Sequence, residues 1–259
     1  MTFSLHKTYL DCVDDAGNCF ILYDASIRLL FLKIGYSALV FSDRNNNLTE
    51  ISSFRRSNIA KNDRRLSFSN KRLKISGQWD AAGHPVESLL YRHGKGIVHW
   101  DCHHPSAHCI IDYQGHHFSG LGYGETLFLS IKLWRLPIEE LKWGRFLAPG
   151  IAITWIQWKG KNPINRIYLN GRKYNDAEYG THSVIFNGGT SQLEFSRISC
   201  ISQAKFSGHL SKMPLLKLFL NKATLNSLES KYKAKSTFRD AGGVIHHGWV
   251  IFEVVKWEH

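Results

Sequence analysis

Apolar and polar residues alternate along many short stretches of this chain, and turn-forming residues separate those stretches. Such alternation is typical of β-strands that bury one face. The pattern predicts strands over residues 20–23, 27–41, 66–75, 88–91, 97–101, 107–113, 125–134, 151–158, 166–169, 183–186, 193–198, 215–220 and 244–257. Asn170 and Gly171 lie between two apolar segments, and this dipeptide predicts a tight hairpin turn.

Helical spacing is confined to residues 138–142 and 223–231, and both stretches are short. Many short strands separated by turns favour barrels or sandwiches, and 259 residues suffice for one large β domain or for two domains. A run of serine and glycine interrupts the strands near residue 120. The sequence therefore predicts an all-β protein, with a domain boundary that separates residues 1–119 from residues 120–259.

Composition places the chain among globular proteins, because 43% of its residues are hydrophobic and 21% are charged. No apolar run approaches the roughly 20 residues that span a bilayer, and the first residues lack the pattern of a signal peptide. The five cysteines show no CxxC spacing, which favours reduced, packed thiols over a disulfide framework. We therefore expect a cytoplasmic protein.

The formal charge of +12 is concentrated in one segment, residues 55–74, which we call the basic cluster. Its cations are Arg55, Arg56, Lys61, Arg64, Arg65, Lys71, Arg72 and Lys74, and only Asp63 opposes them. Such a cluster can bind nucleic acid or an anionic membrane surface. It can equally protect a solvated strand edge from self-pairing. No helix-turn-helix, zinc-finger or RNP pattern accompanies it, which argues against nucleic acid.

Glu125 is the first candidate for chemistry. On a strand it shares one face with Leu127 and Leu129, and we expect that apolar face to point inward. A carboxyl group in apolar surroundings can keep its proton near neutral pH and serve as a general acid. Two alternatives stay open: a structural ion pair with Arg145, or a position at a solvated mouth.

Further candidates are aromatic and basic. Trp100, Trp143 and Trp249 lie beside polar groups in the sequence, so they are candidates for the lining of a ligand pocket, although packing is the usual role of tryptophan. Arg145 could bind a carboxylate or enolate oxygen of a ligand, or it could stack on a tryptophan ring.

Histidines cluster before residue 118. His99 and Asp101 share one face of a predicted strand with His103, which is compatible with a ligand or metal site. No HExxH motif or Cys/His pairing occurs, so we expect no metal. Near the carboxyl terminus, His247 shares a face with Trp249 and Glu253, which predicts a second acid–base pair in the interior.

These motifs resemble those of one known family. Gly120-x-Gly122-Tyr123 with Glu125 two positions on, then Trp143-Gly144-Arg145, and a closing segment at residues 248–257 are similar to the lipocalin-like family that includes carotenoid 1,2-hydratase (hydroxyneurosporene synthase). Cofactor-free cyclases and Diels–Alderases share that architecture. The hydratases carry a His-Asp-His run after the glycine motif, whereas this chain has Gly124, Glu125 and Thr126.

The resemblance implies two consecutive lipocalin-like β-barrel domains with an apolar cavity. It also implies an enzyme without a cofactor that hydrates, cyclises or isomerises a hydrophobic polyene, terpenoid or polyketide-like molecule. Glu125 would be the acid, and Arg145 and Tyr123 would orient the substrate. A carrier of hydrophobic ligands is the alternative, and an adaptor that uses the basic cluster is a third possibility.

Overall fold

A computed structural model describes residues 3–209 and 225–257 of the chain. The chain divides into two compact units, Met1–Lys132 (unit 1) and Leu133–His259 (unit 2). Each unit is built on one curled antiparallel sheet, so the prediction of an all-β protein is confirmed. Within the described ranges, no helix is long and apolar enough to cross a membrane.

Unit 1 contains a ten-stranded sheet. Its strands are β1 (Phe3–Asp14), β2 (Cys19–Leu29), β3 (Leu32–Ser42), β4 (Leu48–Ser53), β5 (Asn58–Lys61), β6 (Arg65–Asn70), β7 (Ile75–Ala81), β8 (Val86–His93), β9 (Gly96–Tyr113) and β10 (His116–Leu129). They pair in the order β4-β3-β2-β1-β10-β9-β7-β6-β5, and β8 pairs with β9. The first strand of the unit therefore lies beside the last.

Alternation along the strands of unit 1 places one set of side chains in its core. Leu10, Leu22 and Leu39 are register partners across β1, β2 and β3, and all three are buried. Because register partners in antiparallel strands share a face, this row forms one wall of the core. Trp79 and Phe68 pack into the same cluster from β7 and β6.

Unit 2 contains a nine-stranded sheet. Its strands are β11 (Glu140–Ala148), β12 (Ile151–Lys159), β13 (Ile164–Leu169), β14 (Arg172–Tyr174), β15 (Glu178–Tyr179), β16 (Ser183–Phe186), β17 (Ser191–Lys205), β18 (Leu228–Arg239) and β19 (Ile245–Lys256). They pair in the order β14-β13-β12-β11-β19-β18-β17-β16-β15, so the first strand again pairs with the last. Its core contains Phe146, Phe186, Phe238 and Val250.

The helical elements among the described residues are short, and residues 225 and 226 are also helical. A 3-10 turn covers Leu133–Arg135, and the short helix α1 covers Phe206–His209. The helix predicted over residues 138–142 is wrong, because β11 begins at Glu140 and pairs with both β12 and β19. The helix predicted over residues 223–231 overlaps β18, and its first two residues lie outside the described ranges. The strand predicted over residues 215–220 also lies outside them.

Two predicted strands are in fact hairpins. Residues 27–41 turn at Leu30 and Phe31, between β2 and β3, and residues 66–75 turn between β6 and β7. Leu30 adopts a φ of 57° and Lys74 a φ of 53°. Both turns lack the glycine that usually supplies this conformation, so the sequence pattern does not mark them. The turn at Asn170 and Gly171 is present as predicted.

The division between the units lies after β10. The predicted boundary between residues 119 and 120 falls inside this strand, which pairs continuously with β1 from Gly120 to Leu129. The glycines near residue 120 interrupt the hydrophobic pattern, but they do not end the strand. They lie where the backbone of a neighbouring strand approaches closely and leaves no room for a side chain. A Cβ atom at Gly120 would lie 2.2 Å from the carbonyl oxygen of Val13.

Candidate functional site

The glycine motif of β10 sets the direction of the side chains that follow it. A Cβ atom at Gly122 would lie 2.2 Å from the carbonyl oxygen of Asp11 and 2.4 Å from Sγ of Cys109. The Trp79 indole occupies that side of the strand, where its Nε1 donates to the same Asp11 carbonyl at 2.8 Å. Gly122 therefore faces the filled core of unit 1, and its neighbour Tyr123 points to the opposite face.

Glu125 follows Tyr123 on this opposite face. Its register partner on β1 is Tyr9, whereas the core residue Leu10 is partnered by Gly124. The prediction that Glu125 points into the barrel core is thus wrong, since alternation gives that side to Gly122 and Gly124. The glutamate is nevertheless buried, with 9% of its surface exposed.

Two donors hold the Glu125 carboxyl group. The Tyr123 hydroxyl donates to Oε2 at 2.6 Å, and the Trp100 indole N–H donates to the same oxygen. An indole N–H is only a donor, so Oε2 must accept. A proton on this carboxyl group would therefore reside on Oε1.

Cys102 completes the polar contacts around Tyr123. The Cys102 and Tyr123 side chains are hydrogen-bonded to each other. Because the single hydroxyl proton of Tyr123 goes to Glu125, the thiol donates to the phenol oxygen. Burial raises the pKa of the Cys102 thiol and the pKa of the Tyr123 phenol well above their ordinary values. Both groups are neutral at physiological pH, and Tyr123 stays a hydrogen-bond donor.

Residues of β1 and β2 supply the rest of this surface. Tyr9 packs edge-on against Tyr23 and Tyr123, with ring centroids 5.5 and 6.1 Å apart. The Lys7 ammonium lies 4.8 Å from the centre of the Tyr23 ring, which is cation–π distance. Asp11 is fully buried on the same face.

We call the group Tyr9, Asp11, Trp100, Cys102, Tyr123 and Glu125 the Glu125 site. Sequence analysis identified Trp100, Tyr123 and Glu125, and it missed Cys102. It also missed Tyr9 and Asp11. Their alternation within the amino-terminal residues is a usable signal for one strand face. It does not indicate that this strand pairs with β10, which is distant in sequence.

His99 and Asp101 do not reach the Glu125 site. They pair with Phe128 and Thr126 of β10, so they share the face opposite to Trp100. The His99 Nε2 atom lies 2.8 Å from the Glu87 carboxylate, and the Asp101 carboxylate lies 3.5 Å from Lys61 Nζ. The structure therefore separates these two predicted substrate-binding residues from Trp100.

His103 and His104 lie on the same strand. Their Nδ1 atoms are 2.9 Å apart, and His103 Nε2 lies 3.3 Å from the Thr126 hydroxyl. Burial, with a contribution from the Lys61 charge, lowers the pKa of His103 to about 3. Within residues 3–209 and 225–257, no group of three or more His, Cys, Asp or Glu side chains is placed to hold a metal ion.

Arg145 and Trp143 lie on β11 of unit 2. Both face away from the core residue Phe146, and Arg145 is fully buried. One guanidinium nitrogen of Arg145 donates to the carbonyl oxygen of Trp249 at 2.9 Å. Trp249 lies on β19, and its side chain occupies the same face of the sheet. The predicted ion pair between Glu125 and Arg145 links two units and stays a prediction.

The predicted interior pair of His247 and Glu253 is wrong. The two residues share a face of β19, but His247 is exposed near the strand end, with Nδ1 3.4 Å from the Thr237 hydroxyl. Glu253 is partly buried and lies 3.5 Å from Lys231 Nζ. Alternation predicts the shared face correctly, and it carries no information on the exposure of each position.

Comparisons with known proteins establish the fold. No family model matches the sequence, and no curated protein matches it. The solved structure of CghA is similar, with a TM-score of 0.63 and 9% identity over 99% of this chain and 89% of that one. The structure of CghA with Sch210972 gives a TM-score of 0.58 over the same shares, also at 9% identity.

Kievitone hydratase from Nectria haematococca is a further match. It has a TM-score of 0.52 and 7% identity, over 97% of this chain and 88% of that chain. At such identities the likeness shows the fold alone. The fold is the one that the resemblance implied, with two consecutive lipocalin-like β domains.

Proposed function

We propose that this protein is a cofactor-independent enzyme that hydrates, cyclises or isomerises a hydrophobic small molecule, with Glu125 as its acid–base group. One observation carries the proposal: a buried carboxyl group whose Oε2 accepts hydrogen bonds from the Trp100 indole and the Tyr123 hydroxyl, beside buried aromatic rings. The fold likeness to a hydratase is consistent with this chemistry.

In the proposed reaction Glu125 gives the proton on Oε1 to an alkene carbon or a carbonyl oxygen of the substrate. The donors from Trp100 and Tyr123 then stabilise the carboxylate that remains, because hydrogen bonds to a charged acceptor are the stronger kind. The carboxylate takes a proton back from the attacking water in a hydration. In an isomerisation or a cyclisation it takes the proton from a neighbouring carbon, so the enzyme returns to its starting state.

The aromatic rings around Glu125 favour an apolar substrate. Tyr9, Trp100 and Tyr123 are buried beside the carboxyl group, and ring faces stabilise a transient positive charge on carbon. A polyene, terpenoid or polyketide-like molecule of natural-product biosynthesis would supply both the apolar surface and the protonatable group. In unit 2, we propose Arg145, Trp143 and Trp249 as candidate substrate-binding residues.

The test is Glu125→Gln, measured as turnover of a panel of polyenes and polyketide-like compounds. Glutamine keeps a carbonyl oxygen that accepts from Trp100 and Tyr123, so folding and ligand binding should persist while turnover is lost. Glu253→Gln is the matched control, since Glu253 is a partly buried glutamate on the last strand of its unit. Retained turnover in Glu125→Gln would remove Glu125 from the mechanism.

A pericyclic reaction would need shape and a polarising donor rather than a proton transfer. In that case Glu125→Gln costs little turnover, and Trp143→Ala, which opens space beside Arg145, costs more. The two substitutions together therefore distinguish acid catalysis from catalysis by shape.

A non-catalytic carrier is the second candidate. The double hydrogen bond to Oε2 favours it, because the same contacts would also fix an ionised Glu125 as a structural group. A carrier binds its ligand tightly, exchanges it slowly and forms no product. Recovery of unchanged ligand after long incubation, with Glu125→Gln binding equally well, would support the carrier over the enzyme.

The basic cluster supports the third candidate, an adaptor for nucleic acid or an anionic surface. All its cations are exposed, although Arg56, Lys61 and Arg65 each have an acidic partner. Such binding would weaken steeply with salt.

The five cysteines are free thiols, which supports a reducing compartment and hence the cytoplasm as the place of action.

A further inference from the structure

The hairpin that joins β2 and β3 exposes an apolar apex. Its two-residue turn consists of Leu30 and Phe31, between the register partners Leu29 and Leu32. Phe31 is 89% exposed, which is the largest exposure among the large hydrophobic residues of the described chain. An exposed phenylalanine at a turn gives unit 1 no core contact, so folding does not explain its presence.

The backbone of this turn is also costly. Leu30 adopts a φ of 57°, in the left-handed region that glycine and asparagine tolerate best. The chain uses Asn170 and Gly171 at an equivalent two-residue turn between β13 and β14, with φ values of 48° and 83°. The β2–β3 turn thus keeps two large apolar residues where a polar dipeptide would close the hairpin at lower cost.

Cations surround the apolar apex. Arg28 and Lys33 are register partners next to the turn, and both are exposed. Like charges directly opposite each other on a hairpin repel. Within the part of the chain that the structure describes, neither side chain forms an ion pair. The pair therefore lowers the stability of the hairpin unless an anion lies beside it.

The same surface continues along β3 to the segment that follows β4. The Phe54 ring is 44% exposed and lies 6.4 Å from the Tyr36 ring, and Arg55 beside it is exposed. Five residues of strand separate Tyr36 from Phe31, which corresponds to about 17 Å. Exposed aromatic rings and exposed cations thus occur both at the β2–β3 turn and in the segment that follows β4.

We propose that the apex of the β2–β3 hairpin docks this protein on an anionic phospholipid membrane. Phe31 and Leu30 enter the boundary between headgroups and acyl chains, while Arg28, Lys33 and Arg55 contact lipid phosphates. The charge complementarity argues for this partner, since apolar side chains ringed by cations are typical of segments that lie in the membrane interface. The proposal does not depend on the chemistry of Glu125.

The experiment is flotation of the full chain with vesicles of phosphatidylcholine, alone or with about a third phosphatidylserine. We expect binding only to the vesicles with phosphatidylserine. Phe31→Ser should weaken it about tenfold or more, because burial of a phenylalanine side chain is lost. Arg28→Gln combined with Lys33→Gln should weaken it roughly 10- to 30-fold, as each cation near the surface contributes.

Two matched controls separate docking from net charge. Arg172→Gln combined with Lys173→Gln removes the same charge from exposed positions at the β13–β14 hairpin, and Ile110→Ser removes an exposed apolar side chain from β9. Both should keep the binding of the wild type, and thermal unfolding should show that all variants fold.

Three results would overturn the proposal. The first is no binding of the wild type, or equal binding to phosphatidylcholine alone. The second is an equal loss in the control at Arg172 and Lys173, which would indicate that binding responds to net charge only. The third is binding to a single-stranded oligonucleotide without binding to vesicles, which would make nucleic acid the partner.

Discussion

The protonation state of Glu125 decides between an acid catalyst and a structural carboxylate, and its bond to Tyr123 can report that state. A hydrogen bond to a charged group contributes about 1.5–3 kcal/mol to stability, whereas one between neutral groups contributes about 0.5–1.5 kcal/mol. The two states therefore differ by about 1–1.5 kcal/mol in this one contact. Glutamine at position 125 preserves the neutral contact and abolishes the charged one.

The perturbation is a double-mutant cycle of Tyr123→Phe and Glu125→Gln. Tyr123→Phe alone should cost about 1–2 kcal/mol, because it removes the hydroxyl that joins Cys102 to Glu125. If Glu125 carries a proton at neutral pH, glutamine is an equivalent acceptor, and the coupling free energy should lie within about 0.5 kcal/mol of zero.

The assay is urea unfolding of the full chain at neutral pH, combined with hydrogen exchange of the β1 and β10 amides so that the free energy belongs to unit 1. Tyr113→Phe is the matched control, since the Tyr113 hydroxyl accepts from Gln114 and lies away from Glu125. A coupling free energy above about 1 kcal/mol would mean that Glu125 is ionised, and it would refute the role of resting general acid.

Three further predictions concern the folding and stability of unit 1. Gly122→Ala should prevent stable folding, since its Cβ would lie 2.2 Å from the Asp11 carbonyl oxygen, and circular dichroism would detect the loss. The folded-state pKa of His103 is about 3, below its ordinary value, so the unfolded chain binds the proton first. Stability should fall as pH drops from about 6.5 toward 3, and His103→Gln should flatten this slope in urea titrations. Arg56→Met should cost about 3 kcal/mol in urea unfolding, because it strips the buried Asp24 carboxylate of its guanidinium partner; a cost near zero would contradict that role.

Local alternation predicts strands well in this chain because most strands bury one face. It fails at the β2–β3 turn, where Leu30 and Phe31 are as apolar as the strands beside them, and the turn depends on a backbone angle that composition does not reveal. It also divides β9, which the structure shows as one continuous strand through residues 102–106. Bulges there let polar residues lie in a strand without strict alternation.

The sequence predicted only part of the candidate site, because alternation reports on one strand at a time. The spacing of Tyr123 and Glu125 places them on one face whichever side is buried, so their association holds in either case. The identity of that face depends on Trp79, which fills the other side of β10 from a strand that does not pair with it. Contacts of this kind join residues far apart in sequence, and periodicity carries no information about them.

The two units give the same strand position different environments, and this contrast supports the distinct role of Glu125. Glu125 and Glu253 each lie on the last strand of a unit, paired with the first strand and turned away from the core. The Lys231 ammonium lies 3.5 Å from a carboxylate oxygen of Glu253, so these two side chains form an ion pair. The Glu125 carboxyl group accepts hydrogen bonds from the Tyr123 phenol and the Trp100 indole.

Hydrogen bonds from a phenol and an indole to Oε2 can form in either protonation state of the carboxyl group, so they are compatible with the proton transfer that we propose for Glu125. We expect the ion pair in unit 2 to contribute to stability, and we propose proton transfer for Glu125 in unit 1. Because Glu253→Gln removes the ion pair with Lys231, we expect it to lower the stability of unit 2 and to leave turnover intact. For Glu125→Gln we expect the reverse, with folding kept and turnover lost. Equal effects of the two substitutions on turnover would show that position in the sheet, rather than the chemistry of the neighbours, determines the role of each glutamate.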